Sequence, residues 1–180
     1  MTDQRVYIVD DDEAMRDSLL WLLESQGFAV TAHSSAEAFL AACHDDMSGC
    51  IVLDVRMPGM SGLELYEKLN ARHCTLPVIF ITGHGDVPMA VSALKRGAVD
   101  FIEKPFGDKD MLRLIEQCLE LDRNNREKNQ QGVAAARRLA ALTAARSIAV
   151  IEDDIYGDLH LGNERPWPIK AFDQAGNVML

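Results

Sequence analysis

The chain has 180 residues, of which 48% are hydrophobic and 26% charged, values typical of one globular domain with a smaller appendage. Apolar runs stay far below the roughly 18 residues of a membrane-spanning helix, and no basic N-terminal region precedes an apolar core, so we expect a cytoplasmic protein without a membrane partner. The 4 cysteines form no CxxC pair, which argues against a zinc site, and the net charge of −10 lies almost wholly before residue 123, which favours a cation over nucleic acid as the direct partner of that part.

Short runs of β-branched and apolar residues recur along the first part of the chain and predict five strands. The runs lie at residues 6–9, 28–33, 50–54, 77–82 and 98–103. Between the first two runs, apolar residues repeat at helical spacing, namely Met15, Leu19, Leu22 and Leu23. Gly27 is placed to end this helix in a left-handed conformation, and Ser34 with Glu37 has the spacing of a capping box at the start of a second helix.

Three more helices are predicted by the same signals. The third contains Leu63, Leu65, Tyr66 and Leu69, the fourth runs from about Asp86 to Gly97, and the fifth begins near Asp108. Strictly alternating strands and helices predict an α/β fold, a (βα)5 doubly wound parallel five-stranded sheet with helices on both faces. In such a sheet, ligands bind beyond the C-terminal ends of the strands, so the residues that follow each strand are the candidates for function.

The predicted strand ends carry a chemically matched set of side chains. They are Asp10, Asp11 and Asp12 after the first strand, Asp54 at the end of the third, Thr82 at the end of the fourth, and Lys104 with Pro105 after the fifth. Carboxylates gathered at one edge repel one another unless a cation lies among them, and Mg²⁺ prefers a few carboxylate oxygens, water and a phosphate. A lysine and a hydroxyl at the same edge can bind phosphoryl oxygens, so the set indicates phosphoryl transfer.

Each of these residues also has an ordinary structural interpretation. An acidic run often begins a helix, an aspartate often ends a strand in a turn, and a lysine before a proline is usually a surface residue. Any one of these interpretations is more common than function. The joint occurrence at the corresponding ends of alternating strands is what favours the functional interpretation.

The stretches YIVDDDEAMRDSL, VLDVRMPGMSGLEL and PVIFITGHGDVPMAVSALKRGAVDFIEKPF resemble the receiver domain of two-component response regulators, close to the FixJ-like group. The resemblance covers roughly residues 1–124 and implies a flavodoxin-like strand order, 2-1-3-4-5. It also implies magnesium-dependent phosphoryl transfer from a sensor histidine kinase, and a switch of the face built by the fourth helix, the fifth strand and the fifth helix. A phosphorylation-dependent homodimer and a role in transcriptional regulation are the further expectations.

The same resemblance assigns a role to each site residue. Asp54 is the phospho-acceptor, and the proposed metal ligands are Asp10, Asp11, Asp54 and the backbone carbonyl of Arg56. Lys104 binds the phosphoryl group, Thr82 is the switch hydroxyl, and Phe101 is the aromatic residue that turns inward with it.

The rest of the chain is interpreted as a basic helical linker, residues 125–146, followed by an incomplete tail, residues 147–180, without a core of its own. RRLAALTAAR resembles the opening of a LuxR-type helix-turn-helix domain, but the rest of that domain does not follow, which leaves DNA binding undecided. The tail resembles an internal fragment of a fold-type I pyridoxal-phosphate aminotransferase of the kind fused to GntR-type regulators. Asp153 and Tyr156 would be cofactor contacts, but Lys170 lacks the Schiff-base context, so no aminotransferase activity is expected.

Four alternatives remain open. A haloacid-dehalogenase-like phosphatase needs an acidic residue two positions after its nucleophile, where this chain has Arg56, and a nucleotide-binding module needs GxGxxG or GxxxxGK[ST], which the sequence lacks. The third alternative is a single-domain receiver that acts by protein–protein interaction, and the fourth is a truncated or chimeric product without output activity.

Overall fold

The computed structural model describes residues 4–83, 91, 94–95, 97–146, 149–151, 169–173 and 178–179. The chain divides into two compact units, Met1–Arg123 and Asn124–Leu180. The three-part division drawn from the sequence, with boundaries after residues 124 and 146, stays a prediction. The Asp153 and Tyr156 assignments lie outside the described residues.

The first unit contains a parallel five-stranded sheet in the order β2-β1-β3-β4-β5, which confirms the predicted fold class and strand order. The strands are β1 (Arg5–Val9), β2 (Ala29–His33), β3 (Gly49–Asp54), β4 (Val78–Thr82) and β5 (Asp100–Glu103), and the helices are α1 (Glu13–Ser25), α2 (Ala36–Ala42), α3 (Gly62–Ala71) and α4 (Asp108–Arg146). The helix α4 corresponds to the fifth predicted helix. Most of the fourth predicted helix lies outside the described residues, although Val91, Leu94 and Lys95 within it are helical.

The core consists of two apolar layers, one on each face of the sheet. Along β1, Val6 and Ile8 point into the layer beneath α1 and the first turns of α4, whereas Tyr7 and Val9 point into the layer beneath α2 and α3. Alternate residues of the buried strands therefore serve opposite faces, which explains why these strands are near-continuous apolar runs in the sequence.

Short polar side chains begin the first three helices. Asp12 caps α1 by accepting from the N–H of Ala14 at 2.9 Å, and Gly27 follows the helix with φ +83°, as predicted. The capping box predicted for α2 is wrong, because Ser35, not Ser34, caps the helix and the Glu37 carboxylate is used elsewhere.

A complete capping box does occur at α3. Ser61 accepts from the N–H of Glu64 at 3.3 Å, and the Glu64 carboxylate accepts from the N–H of Ser61 at 2.9 Å. The helix that follows the third strand therefore has a well-defined first residue.

A buried carboxylate anchors α4 at the edge of the sheet where β1 and β3 begin. Asp122 is 1% exposed and accepts from the Ser48 hydroxyl at 2.9 Å, from the N–H of Gly49 at 3.0 Å and from the Gln4 amide at 3.0 Å. Three donors compensate the burial of its charge, so the start of β3 and the helix are held together.

In the second unit, α4 continues to Arg146 and carries the basic residues noted in the sequence. Two further strands, β6 (Val150–Ile151) and β7 (Val178–Met179), pair in parallel, and a 3-10 helix spans Ile169–Phe172. The Arg137 guanidinium lies 5.2 Å from the centre of the Phe172 ring, a cation–π contact. Among the described residues, no helix is long and apolar enough to cross a membrane.

Two helical glycines should respond oppositely to alanine. A Cβ on Gly62, the first residue of α3, would overlap the carbonyl oxygen of Asp54, whereas one on Gly132, inside α4, would meet nothing within 4 Å. We expect Gly62→Ala to destabilise the protein by about 1–3 kcal/mol, and Gly132→Ala to stabilise its helix by about 0.5–1 kcal/mol.

Thermal unfolding followed by circular dichroism checks both glycine variants. A melting temperature for Gly62→Ala equal to or above the wild-type value would contradict the close approach of α3 to the end of β3.

Candidate functional site

Three carboxylates meet at the C-terminal edge of the sheet. Asp10 follows β1, Asp11 is next to it, and Asp54 ends β3, the strand beside β1 with Val9 opposite Leu53. One oxygen from each carboxylate can be chosen so that all three lie within 4.8 Å of one another. Asp10 and Asp54 are buried and Asp11 is exposed, so the cluster opens to solvent on one side.

Lys104, which follows β5, completes the cluster with a positive charge. Its Nζ lies 2.8 Å from Asp54 Oδ1 and 3.1 Å from Asp10 Oδ2, and its backbone N–H donates to the carbonyl of Thr82 at 2.8 Å. The peptide bond between Lys104 and Pro105 is cis. The lysine therefore joins the ends of β1 and β3 from the far edge of the sheet.

The remaining hydrogen bonds determine how the two buried carboxylates point. Asp54 Oδ2 accepts from the backbone N–H of Arg56 at 2.9 Å, while Oδ1 faces Lys104. Asp10 Oδ1 accepts from the N–H of Asp12 at 2.8 Å, and Oδ2 faces the same lysine. Each carboxylate thus has one oxygen held by the backbone and one held by the ammonium group.

The charges of this cluster are not balanced. Three carboxylates and one ammonium group leave a formal charge of −2, which a divalent cation would neutralise. Burial raises the pKa of Asp54, although the hydrogen bond and charge of Lys104 oppose this effect. Burial lowers the pKa of Lys104, but its contacts with Asp54 and Asp10 outweigh burial and hold the pKa above its ordinary value.

The donor set fits Mg²⁺, which takes a small number of carboxylate oxygens together with water and a phosphate. Asp10, Asp11 and Asp54 offer such oxygens on a partly open cluster. The carbonyl of Arg56, the fourth ligand expected from the sequence, belongs to the loop that leaves Asp54.

The two predicted switch residues lie on neighbouring strands. Thr82, the last residue of β4, is fully buried, and its hydroxyl lies 3.5 Å from the carbonyl oxygen of Ile102. Phe101 on β5 is half-buried and packs against the apolar layer beneath α2 and α3. With the exception of Phe101, which lies within β5, the site residues named from the sequence lie at or just after the C-terminal ends of strands of one sheet.

Three residues that contribute to the site were missed or misassigned in the sequence. Arg16 on α1 donates to the backbone carbonyl of Asp10 at 2.8 Å, and Gly62 lets α3 approach the backbone of Asp54. The Glu37 carboxylate accepts from the N–H of Met60, in the loop after β3, at 2.9 Å. The sequence pattern could not predict this role of Glu37, because its partner lies 23 residues away in the chain and the local spacing indicated a capping box instead.

This fold, with an acidic cluster and a lysine beyond its strand ends, defines the class of signalling receivers. The family model for the response regulator receiver domain matches residues 6–116, and the chain belongs to this family. Its relatives show that it carries the receiver domain of a FixJ-like two-component response regulator.

Two of the similar proteins are transcriptional regulatory proteins named FixJ. The transcriptional regulatory protein FixJ of Rhizobium meliloti (strain 1021) is 56% identical over 120 residues, which cover 67% of this chain and 59% of that protein. FixJ of Bradyrhizobium diazoefficiens is 46% identical over 146 residues, which cover 81% of this chain and 69% of that protein. The chain thus spans about three fifths to two thirds of the length of these relatives.

Solved structures agree with this assignment. The crystal structure of FixJ-N superposes with a TM-score of 0.63 at 55% identity, covering 67% of this chain and 96% of that one. Full-length FixJ from B. japonicum superposes with a TM-score of 0.64 at 42% identity, covering 83% of this chain and 70% of that one.

The raised pKa of Asp54 predicts a pH-dependent effect of Asp54→Asn in metal-free buffer. Because the folded state holds the Asp54 proton more tightly than the unfolded state, stability from this group is complete below the ordinary pKa of about 3.9 and is lost as the pH rises through the higher folded pKa. The neutral amide avoids this loss, so Asp54→Asn should be more stable than wild type near neutral pH, with the difference shrinking toward the ordinary pKa.

Urea unfolding in EDTA at several pH values measures this difference. Asp46→Asn, in an exposed turn before β3, is the matched control and should change stability by no more than about 0.5 kcal/mol. An Asp54→Asn protein that is less stable than wild type at neutral pH would contradict the prediction.

Proposed function

We propose that this chain is a response regulator whose Asp54 accepts a phosphoryl group from the phosphohistidine of a sensor histidine kinase, with Mg²⁺ as the cofactor. The observation that carries the proposal is the position of Lys104, whose Nζ contacts Asp54 Oδ1 and Asp10 Oδ2 at 2.8 and 3.1 Å. One ammonium group beside a buried carboxylate, in a cluster short of two positive charges, suits both a divalent metal and a transferring phosphoryl group.

In the proposed reaction the Asp54 carboxylate attacks phosphorus, the bond from phosphorus to the imidazole nitrogen breaks, and the imidazole leaves. The hydrogen bond from Arg56 N–H and the contact with Lys104 hold the carboxylate in one orientation before the attack. Bound Mg²⁺, held by Asp10, Asp11, Asp54 and the Arg56 carbonyl, would supply charge neutralisation for the phosphoryl oxygens. Lys104 would exchange its contact with Asp54 for one with a phosphoryl oxygen.

Incubation with acetyl phosphate and Mg²⁺, followed by intact-mass measurement, tests the acceptor. Wild type and the control Asp46→Asn should gain the mass of one phosphoryl group, Asp54→Asn should gain none, and EDTA should prevent the gain. Asp11→Asn should need a higher Mg²⁺ concentration because it removes one carboxylate from the cluster. An adduct that persists in Asp54→Asn would refute the assignment.

Phosphorylation is proposed to switch a partner surface. A group of about two negative charges on Asp54 would draw the Thr82 hydroxyl away from the Ile102 carbonyl, and the space left would admit Phe101. Because the 3.5 Å contact of Thr82 is long for a hydrogen bond between a hydroxyl and a carbonyl, its loss costs little. The expected consequence is a homodimer through the face that contains β5.

The variant Thr82→Ala separates phosphorylation from switching. It should still gain the phosphoryl group, because it leaves Asp54, Lys104 and the acidic cluster unchanged, but it should not dimerise in response. Light scattering after size-exclusion chromatography, with and without the phosphodonor, measures the dimer. A Thr82→Ala protein that dimerises like wild type would contradict a role for its hydroxyl.

The cellular process that this chain would regulate is proposed from its relatives, whose names describe transcriptional regulators. A role in transcriptional regulation is therefore favoured, and a single-domain receiver acting through protein–protein contacts is the alternative. For residues 147–180 the resemblance to an aminotransferase fragment carries no proposed activity, since the cofactor contacts it assigns lie outside the described residues.

A further inference from the structure

The loop that leaves Asp54 is tied to the neighbouring helix by one side chain. This loop, residues 55–61, joins β3 to α3 and contains Arg56, whose N–H orients Asp54 and whose carbonyl is a proposed metal ligand. Glu37, in the first turn of α2, accepts from the backbone N–H of Met60 at 2.9 Å. The tie therefore acts on the segment that supplies a ligand, without touching the ligand itself.

The local backbone is shaped around this carboxylate. Gly59 has φ +76°, a left-handed conformation that favours glycine, and a Cβ there would lie 2.9 Å from Glu37 Oε1, so a larger residue would also require the end of the Glu37 side chain to shift. Hydrogen bonds from its own backbone N–H and from Met60 lower the pKa of Glu37, so the carboxylate stays ionised when it accepts from the loop. The hydroxyl of Ser35, the N-cap of α2, also contacts the Glu37 carboxylate and helps to lower its pKa.

The two ends of the loop are also held together by the loop itself. The N–H of Gly62 donates to the carbonyl of Val55 at 3.0 Å, and the capping box of Ser61 begins α3. Between these closures, the hydrogen bond from Met60 to Glu37 ties the loop to a separate helix. If this hydrogen bond were lost, the Met60 N–H would bond to water instead and the loop would be less ordered. Metal binding would then carry the free-energy cost of ordering the loop.

We infer that Glu37 is a positioning residue for the metal site, holding the loop so that the Arg56 carbonyl and the Asp54 carboxylate are arranged for Mg²⁺ before it binds. This inference rests on the proposed function, because it concerns the same metal site. Glu37 itself contacts neither the acceptor carboxylate nor the transferring group.

Isothermal titration of the full chain with MgCl₂ tests the inference directly. Glu37→Ala should weaken Mg²⁺ binding about tenfold, the lower end of the effect of removing a residue that supports metal ligands. Glu37→Gln keeps an acceptor oxygen at the same reach and should restore most of the affinity. Glu24→Ala, an exposed glutamate of α1, is the matched control and should bind like wild type.

The dependence of phosphorylation on Mg²⁺ concentration distinguishes a positioning role of Glu37 from a purely structural one. A positioning role raises the Mg²⁺ concentration for half-maximal phosphorylation by acetyl phosphate by the factor seen in titration, and leaves the rate at saturating Mg²⁺ within about twofold of wild type. Loss of the saturating rate with unchanged Mg²⁺ affinity would overturn the inference. Equal affinities of Glu37→Ala and wild type, or of Glu37→Gln and Glu37→Ala, would overturn it too.

Failure of the inference and failure of the proposed function are distinguishable. Wild type that binds Mg²⁺ but gains no phosphoryl group on Asp54 refutes the proposed function alone, and the titration still decides the role of Glu37. Wild type that binds no Mg²⁺ refutes both. Should Glu37→Ala lose its helical circular dichroism, Glu37→Asp, which keeps the charge but is one methylene shorter, replaces it under the same expectation.

Discussion

The receiver unit depends on the contact of one ammonium group with two buried carboxylates. Lys104 lies between Asp54 and Asp10, and without it the like charges at the ends of β1 and β3 would face one another with little solvent between them. The contact joins three strands that are not consecutive in the chain. Lys104 neutralises only one of the three negative charges at this edge. The remaining negative charge favours the binding of a divalent metal.

The two edges of the sheet use buried aspartates in opposite ways. At the edge where β1 and β3 begin, Asp122 accepts from a hydroxyl, a backbone N–H and an amide, and these hydrogen bonds hold α4 in place. At the other edge, Asp54 shares the Lys104 ammonium group with Asp10, and the cluster opens toward solvent at Asp11. The first arrangement anchors a helix to the sheet, whereas the second leaves one side of a carboxylate cluster open to solvent.

Support for the reactive edge comes from residues that carry none of its chemistry. Gly62 allows α3 to begin directly against the Asp54 backbone, and Glu37 ties the intervening loop to α2. Both contacts lie within the part of the chain that matches the receiver-domain family. Among its described residues the second unit contains the end of α4, two short paired strands and a 3-10 helix, whereas the site residues discussed above all lie in the first unit.

The sequence by itself determined the five strands, their parallel order once the resemblance was recognised, and the candidate acids, hydroxyl and lysine, because strand period and residue type are local properties. It also placed Gly27 correctly, since a left-handed helix end has a local signature. Only the tertiary structure decided that Lys104 contacts both Asp54 and Asp10, that Asp122 is a buried anchor, and that the Glu37 carboxylate reaches the N–H of Met60. These contacts join residues far apart in the chain, and no periodic pattern encodes which side chains meet when strands and helices pack.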